Sequence, residues 1–286
     1  MKTVIVTDSV ADIPENVAEE WNIAVIPLYV IFGRESYQDG IEMSKDQFYE
    51  RLVLDPQHPK TSAPSPADFL KTWQKLISEG TEKIINISVG SKLSGTYNSA
   101  LRAREIMPEK DIEVIDSTYG GMAQGLLVIA AAKMAKAGKK ADEITAEVKR
   151  SIHNIRFLII IDVLEYAVKG GRLNANLAKV FQPLVQRGLR PLLTIKEGKV
   201  DRYPPYLVKA SNRKEKILNF IKGFRNVEAI ALEYSPEATG EIKKTAQELE
   251  QRIKRLYCKT PFYVSTITPV IGVHAGPGAL IVGLLV

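Results

Sequence analysis

Cysteine and histidine are scarce in this sequence. Its 286 residues include one cysteine, Cys258, and three histidines that lie far apart, His58, His153 and His274. One cysteine cannot form a disulfide within the chain or supply a cysteine-rich zinc site, and no histidine begins the His-Glu-x-x-His pattern of zinc-binding helices. We therefore expect no metal ion, and the single thiol is typical of a protein of the reducing cytosol.

A long uninterrupted apolar run is also missing. A helix that spans a bilayer needs about 20 consecutive apolar residues. The most apolar segment, Ile267 to Val286, is interrupted by prolines and glycines, which predicts strands and turns instead. The N-terminal MKTVIVTDS becomes polar too early for a signal peptide, so we interpret it as a first strand. We expect a cytoplasmic protein without stable membrane insertion.

The charge is mildly basic but carries no pattern of nucleic-acid recognition. The 39 lysines and arginines and 33 acidic residues give a formal net charge of +6. The basic residues are spread along predicted helices and alternate with glutamate and apolar residues, which is typical of solvated helix faces. No known nucleic-acid motif accompanies them. We expect no nucleic-acid partner, and a nucleic-acid or regulatory binder stays an alternative suggested only by the net charge.

Strands and helices alternate along the first half of the chain. Short apolar strands such as Thr3–Thr7 and Lys83–Val89 are separated by helical patterns at the spacing of βαβ units, which predicts a parallel sheet. Beyond residue 150 the pattern is less regular and includes a hairpin around Gly198. The sequence therefore predicts an α/β protein of two domains, a parallel-sheet domain over 1–150 and a mixed-sheet domain over 151–286.

The most informative segment is the loop Gly90–Tyr97, GSKLSGTY, between a predicted strand and a predicted helix. Free backbone N–H groups and the helix dipole favour an anion at such a place. The spacing of Gly90 and Gly95 resembles a P-loop, but Thr96 stands where the phosphate-binding lysine belongs. A nucleoside triphosphate is therefore disfavoured and a carboxylate is favoured. The alternative is that Ser94 only caps the helix.

Three further segments carry polar residues of the right chemistry. Thr61 and Ser62 lie between prolines at the expected carboxyl edge of the sheet, where open α/β sheets bind ligands. Arg172 follows two glycines and could bind a phosphate bidentately, and His274 stands between an apolar strand and a glycine turn. Each segment also has a purely structural interpretation. The first would be an ordinary loop, the second a glycine that ends a helix, and the third a buried histidine without a ligand.

Seven segments in order along the chain resemble the DegV family, the fatty-acid-binding subunits of bacterial fatty acid kinase: TDSVADIP, PKTSAPSP, SKLSGTYNSA, IDSTYGG, LEYAVKGGRL, RPLLTIKEGKV and VIGVHAGPGA. The resemblance implies two α/β domains that form a lipid pocket together. It implies one bound long-chain fatty acid, such as palmitate, with no cofactor and no catalytic residue. It also implies a partner, an ATP-dependent kinase subunit, which phosphorylates the fatty acid.

The family motifs also imply roles for individual residues. They imply a fatty-acid site made of Thr61, Ser62, Ser94, Gly95 and His274. The Gly-Gly-Arg match implies that Arg172 contacts the kinase partner or the phosphate. The chain departs from the family after the Gly198 hairpin, where a Lys-Val-Arg run is usual and Pro204–Lys209 stands instead.

One enzymatic alternative stays open. The chain could act on a small carboxylated or phosphorylated metabolite through Ser94 and His274. A hydrolase is disfavoured because the sequence has no Gly-x-Ser-x-Gly motif and no second histidine near His274.

Overall fold

The structure is a computed structural model that describes residues 2–286, apart from the side chain of Leu177. The first half of the chain contains the strands β1 (Thr3–Asp8), β2 (Ile23–Ile26), β3 (Tyr29–Phe32), β4 (Glu35–Gln38), β5 (Lys60–Ser62), β6 (Lys83–Ser88) and β7 (Asp111–Asp116). Its helices are α1 (Glu15–Glu20), α2 (Lys45–Leu54), α3 (Pro66–Ser78), α4 (Thr96–Ile106), α5 (Met122–Lys136) and α6 (Ala141–Ser151).

The second half contains the strands β8 (Ile155–Ile160), β9 (Leu189–Lys196), β10 (Lys199–Lys209), β11 (Ala229–Tyr234), β12 (Phe262–Thr266) and β13 (Leu280–Leu285). Its helices are α7 (Leu164–Lys169), α8 (Ala175–Gln186), α9 (Arg213–Lys222), α10 (Glu241–Leu256) and α11 (Pro269–Ala275).

The predicted parallel sheet is confirmed. Its four strands lie in the order β2-β1-β6-β7, and every neighbouring pair is parallel. The central strand β1 pairs Ile5 with Ile23 on one side and with Ile85 on the other. Because all four strands run the same way, the loops that follow them meet at one edge of the sheet.

A second, three-stranded antiparallel sheet has the order β4-β3-β5. The sequence predicts one strand over Ile23–Val30, and this prediction is wrong. The chain leaves the parallel sheet after Ile26 and starts β3 at Tyr29, because Pro27 has no N–H to continue the ladder. The predicted loop over residues 55–64 contains β5, which pairs with β3.

The third sheet is mixed, as predicted, with the order β10-β9-β8-β13-β11-β12. Only β11 and β12 run parallel among its neighbouring strands in the described chain, and the other pairs are antiparallel. The apolar stripe of α10, formed by Ile242, Ala246, Leu249 and Ile253, is buried in the same cluster as Leu158 and Val282 of the sheet.

The helix α5 joins the two halves of the molecule. Its first ten residues include mostly Ala, Leu, Val and Ile and almost all are buried. It packs on the parallel sheet through residues such as Ile5 and on the mixed sheet through residues such as Ile281, within one continuous core. The strands of the first two sheets all precede residue 117, and those of the mixed sheet all follow residue 154. The domain boundary near residue 150 stays a prediction.

Two helices of the second half differ from the sequence prediction. Helix α8 lies in a stretch for which no element was predicted. The segment Pro269–Ala275 was predicted as strand and turn but is the short helix α11, with Thr268 as N-cap residue and Pro269 in the first turn. A proline at that position fits a helix start, since its missing N–H has no partner within the helix anyway.

Candidate functional site

A cavity of about 870 Å³, its mouth included, lies between the two halves of the molecule. Its walls are mainly apolar and come from both sides, with Leu28, Val89 and Leu93 from the first half and Phe157, Leu193 and Ile281 from the second. Ligand pockets in proteins typically combine apolar walls with a few polar groups. The polar side chains that line this cavity are Thr61, Ser94, Arg172 and His274.

Strand β5 places Thr61 in the cavity and Ser62 outside it. Thr61 pairs with Val30 of β3, so its side chain lies on the inner face of the small sheet. Successive side chains of a strand point to opposite faces, so Ser62 lies on the outer face, exposed, with its hydroxyl donating to the carbonyl of Ala63 at 3.3 Å. The structure therefore does not place Ser62 in the cavity wall, in contrast to the role that the family motif implies.

The loop before α4 brings Ser94 to the cavity. Ser94 Oγ accepts a hydrogen bond from the N–H of Thr96 at 3.3 Å and lies 2.8 Å from Thr96 Oγ1. The N-cap residue of α4 is Gly95, which has no side-chain cap, so Ser94 is not the N-cap that the sequence offers as an alternative. Its hydroxyl contacts the first residue of the helix and lines the cavity. Gly95 is exposed and does not line the cavity, so the structure does not support its expected contact with the ligand.

The glycine at the start of this loop permits a close contact of two backbones. Gly90 donates its N–H to the carbonyl of Tyr119 at 2.7 Å. A Cβ atom at Gly90 would lie 2.8 Å from the carbonyl carbon of Thr118. The loop that carries Ser94 is therefore fixed against the loop after β7, and only glycine fits at this position.

Helix α11 brings His274 to Thr61. The Nε2 atom of His274 lies 3.2 Å from Thr61 Oγ1, and its Nδ1 atom is buried without a hydrogen-bond partner in the described chain. Burial, with the neighbouring positive charge of Arg172, lowers the pKa of His274 to about 3. The imidazole is therefore neutral at physiological pH, with one nitrogen that donates and one that accepts.

Arg172 also lines the cavity, is partly buried, and lies close enough to His274 for its charge to lower the pKa of the imidazole. Its Nη1 donates to the carbonyl of Gly170 at 3.0 Å, and burial lowers the pKa of the guanidinium. Among residues 2–286, no carboxylate lies within ion-pair distance of Arg172. A half-buried cation without a paired anion beside two hydroxyls and an imidazole makes this end of the cavity suitable for an anion.

Two other features concern metals and membranes. Within the described residues, no group of three histidine, cysteine or acidic side chains is arranged to hold a metal ion. No helix of residues 2–286 is long and apolar enough to cross a bilayer.

A family model described as that of an uncharacterised DegV-family protein matches residues 2–286. The chain belongs to the DegV family.

Relatives and solved structures support the same assignment. A DegV domain-containing protein of Caldanaerobacter subterraneus is 32% identical over 282 residues, covering 97% of this chain and 96% of the relative. A solved structure from Thermus thermophilus, described as fatty acid binding of a DegV family protein, superposes with a TM-score of 0.85 at 25% identity and full coverage of both chains. A solved DegV from Bacillus subtilis, described as a fatty acid binding protein, has a TM-score of 0.80 at 26% identity, also with full coverage.

The apolar walls of this DegV cavity were not predicted from the sequence. In and just after β8, Phe157, Ile159 and Ile161 face the cavity, whereas Leu158 and Ile160 pack with the helices on the other face of the mixed sheet. The run FLIII reads as a strand buried on both faces, and nothing in it separates a core face from a cavity face. The signal is therefore absent from the local sequence.

Proposed function

We propose that the chain binds one long-chain fatty acid in this cavity and presents its carboxylate to a separate ATP-dependent kinase subunit. The observation that carries the proposal is a cavity with mainly apolar walls that four polar side chains also line, Thr61, Ser94, Arg172 and His274. The solved relatives from Thermus thermophilus and Bacillus subtilis, both described as fatty-acid-binding, support it.

The apolar walls of the cavity account for its affinity for the hydrocarbon tail of the fatty acid. Palmitate has about fourteen methylene groups, and at ~0.8 kcal/mol each their burial contributes roughly 11 kcal/mol. The loss of ligand freedom on binding subtracts several kcal/mol of this gain. The remainder, up to about 8 kcal/mol, corresponds to a dissociation constant of about 1 μM or weaker, and the polar contacts add to this affinity.

The polar end accounts for recognition of the carboxylate. A threonine hydroxyl has one proton, so Thr61 donates it to the carboxylate while its oxygen accepts from the Nε2–H of neutral His274. Ser94 supplies a second hydroxyl at the start of α4, where the helix dipole favours an anion. Arg172 supplies the positive charge that the neutral imidazole lacks.

The division of labour with a kinase follows from what the loop Gly90–Tyr97 contains. Thr96 stands at the position of the P-loop lysine, so the loop has no cation to hold the β- and γ-phosphates of a nucleotide. The chain therefore supplies the carboxylate in a fixed orientation, and the partner supplies ATP and transfers its γ-phosphoryl group to a carboxylate oxygen to form an acyl phosphate.

Mass spectrometry of an organic extract of the purified protein tests the binding. We expect about one long-chain fatty acid per chain, and delipidated protein should bind palmitate in a calorimetric titration. A small carboxylated or phosphorylated metabolite in the extract, without binding of palmitate, would contradict the proposal and favour the enzymatic alternative.

A further inference from the structure

The segment that leads into α11 is held by four side chains of the first half of the molecule. We call these side chains, Asp12, Asp39, Lys45 and Tyr49, the α11 clamp. The helix itself has no side-chain cap, since the hydroxyl of its N-cap residue Thr268 has no hydrogen-bond partner among the described residues. The groups that fix the start of this helix therefore come from elsewhere in the chain.

Two buried aspartates accept hydrogen bonds from the start of the helix. Asp12 Oδ2 accepts from the N–H of Thr268 at 3.2 Å, and Asp39 Oδ1 accepts from the N–H of Val270 at 3.4 Å. Both residues are almost completely buried, with exposed fractions of 1% for Asp12 and 4% for Asp39. Two carboxyl groups at the positive end of a helix are favourably placed with respect to the helix dipole.

The two other members of the clamp hold the chain just before the helix. Lys45 donates to the carbonyl of Thr266 and forms an ion pair with Asp12 at 3.2 Å. The hydroxyl of Tyr49 donates to the carbonyl of Ile267 at 3.1 Å. The contact continues along the helix, since a Cβ at Gly272 would lie 2.8 Å from the Tyr49 hydroxyl.

The position of α11 decides the geometry of the polar end of the cavity. The helix provides Val270, Ile271, Ala275 and His274 to the cavity wall, and His274 lies in its last turn. We propose that Asp39, together with Asp12, is a positioning residue for the fatty-acid site, because these carboxyl groups fix the helix that places His274 against Thr61. This inference rests on the proposed function, which it extends to a residue outside the cavity.

The surroundings of Asp39 indicate how the clamp responds to pH. Burial, followed by the charge of Asp12, raises the pKa of Asp39 to about 7, and the Ser9 hydroxyl and Lys45 oppose this change. Tyr49 and Glu233 are the other titratable groups of the cluster, and burial raises the pKa of each. Because an ionised carboxylate is a stronger acceptor than a neutral carboxyl, the hydrogen bond from the N–H of Val270 to Asp39 weakens as pH falls below 7.

Palmitate titrations of delipidated protein between pH 6 and pH 8 test the inference. We expect Asp39→Ala to weaken binding by about tenfold at pH 8, the size of effect typical for a lost charge-assisted hydrogen bond. Asp39→Asn keeps an acceptor oxygen, so it should retain most of the affinity. The wild-type affinity should fall by about fivefold between pH 8 and pH 6, whereas Asp39→Asn should show a flat profile.

A second readout separates positioning from stability. The imidazole NMR signals of His274 should shift in ligand-free Asp39→Ala relative to the wild type. The matched control is Asp68→Ala: Asp68 accepts from the N–H of Ser65 at 2.8 Å at the start of α3, a helix that does not line the cavity. It should lower the melting temperature without changing affinity or the His274 signals.

The outcomes distinguish the two proposals. Wild-type protein that binds no palmitate at any pH contradicts the proposed function, while the His274 signals still test the clamp. Wild-type binding with unchanged affinity and unchanged His274 signals in Asp39→Ala overturns the clamp alone. If Asp39→Ala does not fold, identical pH profiles of wild type and Asp39→Asn overturn it.

Discussion

At the scale of single residues, two neighbours on β5 offer a sharp test of the head-group site. Thr61 lines the cavity and contacts His274, whereas Ser62 is exposed on the other face of the strand. We expect Thr61→Ala or Ser94→Ala to cost roughly 1.5–3 kcal/mol of affinity for palmitate, because each loses a hydrogen bond to a charged group. Ser62→Ala is the matched control and should bind as the wild type does. Calorimetry measures all three, and a loss confined to Ser62→Ala would refute the orientation of β5.

A buried acid gives a second prediction at this scale. Glu233 is fully buried, neither carboxyl oxygen has a hydrogen-bond partner in the described chain, and a Cβ at Gly121 would lie 2.9 Å from it. Burial, then the charge of Asp12, raises the pKa of Glu233 well above its usual value of 4.5.

The folded protein therefore holds this proton more tightly than the unfolded chain. The stability that this proton gives to the folded state is fully present at pH values below the pKa of Glu233 in the unfolded chain. It is lost as pH rises through the pKa of Glu233 in the folded protein. Glu233→Gln keeps the size and removes the charge, so its melting temperature should exceed that of the wild type at pH 8, and the difference should shrink toward pH 4. A lower melting temperature of Glu233→Gln at pH 8 would show that the ionised carboxylate is favourable.

At the scale of elements, the loop before α4 depends on one of its two glycines. Gly90→Ala would bring a Cβ to 2.8 Å from the backbone of Thr118, while Gly95→Ala meets only the side chain of Ala63 at 3.8 Å. Overpacking of a tight contact typically costs about 1–3 kcal/mol. We expect Gly90→Ala to lower the free energy of unfolding by that amount and Gly95→Ala to change it little. Urea unfolding monitored by circular dichroism measures both, and equal stability of the two variants would contradict the close backbone contact.

The same scale shows what the sequence can predict. Helices with local start signals are predicted well. The sequence predicts a capping box at Ser44 and an N-cap at Ser65 followed by Pro66, and α2 and α3 start at these residues, each with a capping box. The prediction missed the strand break at Pro27, although a proline without an N–H is a local signal. It also missed the pairing of β3 and the helix α11, because both depend on partners far away in the chain. β3 pairs with β5, and the backbone N–H groups at the start of α11 donate to the carboxyl groups of Asp12 and Asp39. A local sequence pattern does not indicate such distant partners.

For the whole molecule, the site is made by tertiary structure. Thr61, Ser94, Arg172 and His274 follow or lie in four different elements from both halves of the chain, and all four line one cavity. Residue types and loop positions identified each of them as polar and well placed, but only the family resemblance grouped them. The resemblance also included Ser62 and Gly95. Ser62 points away from the cavity because side chains alternate along β5, and Gly95 lies exposed at the start of α4, so neither lines the cavity wall.

The final prediction, at the scale of the whole molecule, concerns Arg172 and the proposed kinase partner. Arg172 lines the cavity and is only partly buried. Under the proposed function, we expect its guanidinium to bind both the carboxylate and the phosphoryl group that the partner transfers to it. We expect the purified chain alone to turn over no ATP. With an added fatty acid kinase subunit, palmitate-dependent ATP consumption should appear.

Arg172→Ala should reduce this consumption at saturating palmitate more than it reduces affinity, because the charge on the transferred group develops during the reaction. Arg187→Ala, at an exposed arginine that does not line the cavity, is the matched control and should retain both activities. A variant Arg172→Ala that has lower affinity and a lower melting temperature, but normal turnover once the ligand is bound, would show that Arg172 only stabilises the end of α7 through its hydrogen bond to Gly170. ATP turnover by the chain without a partner would contradict the division between binding and catalysis.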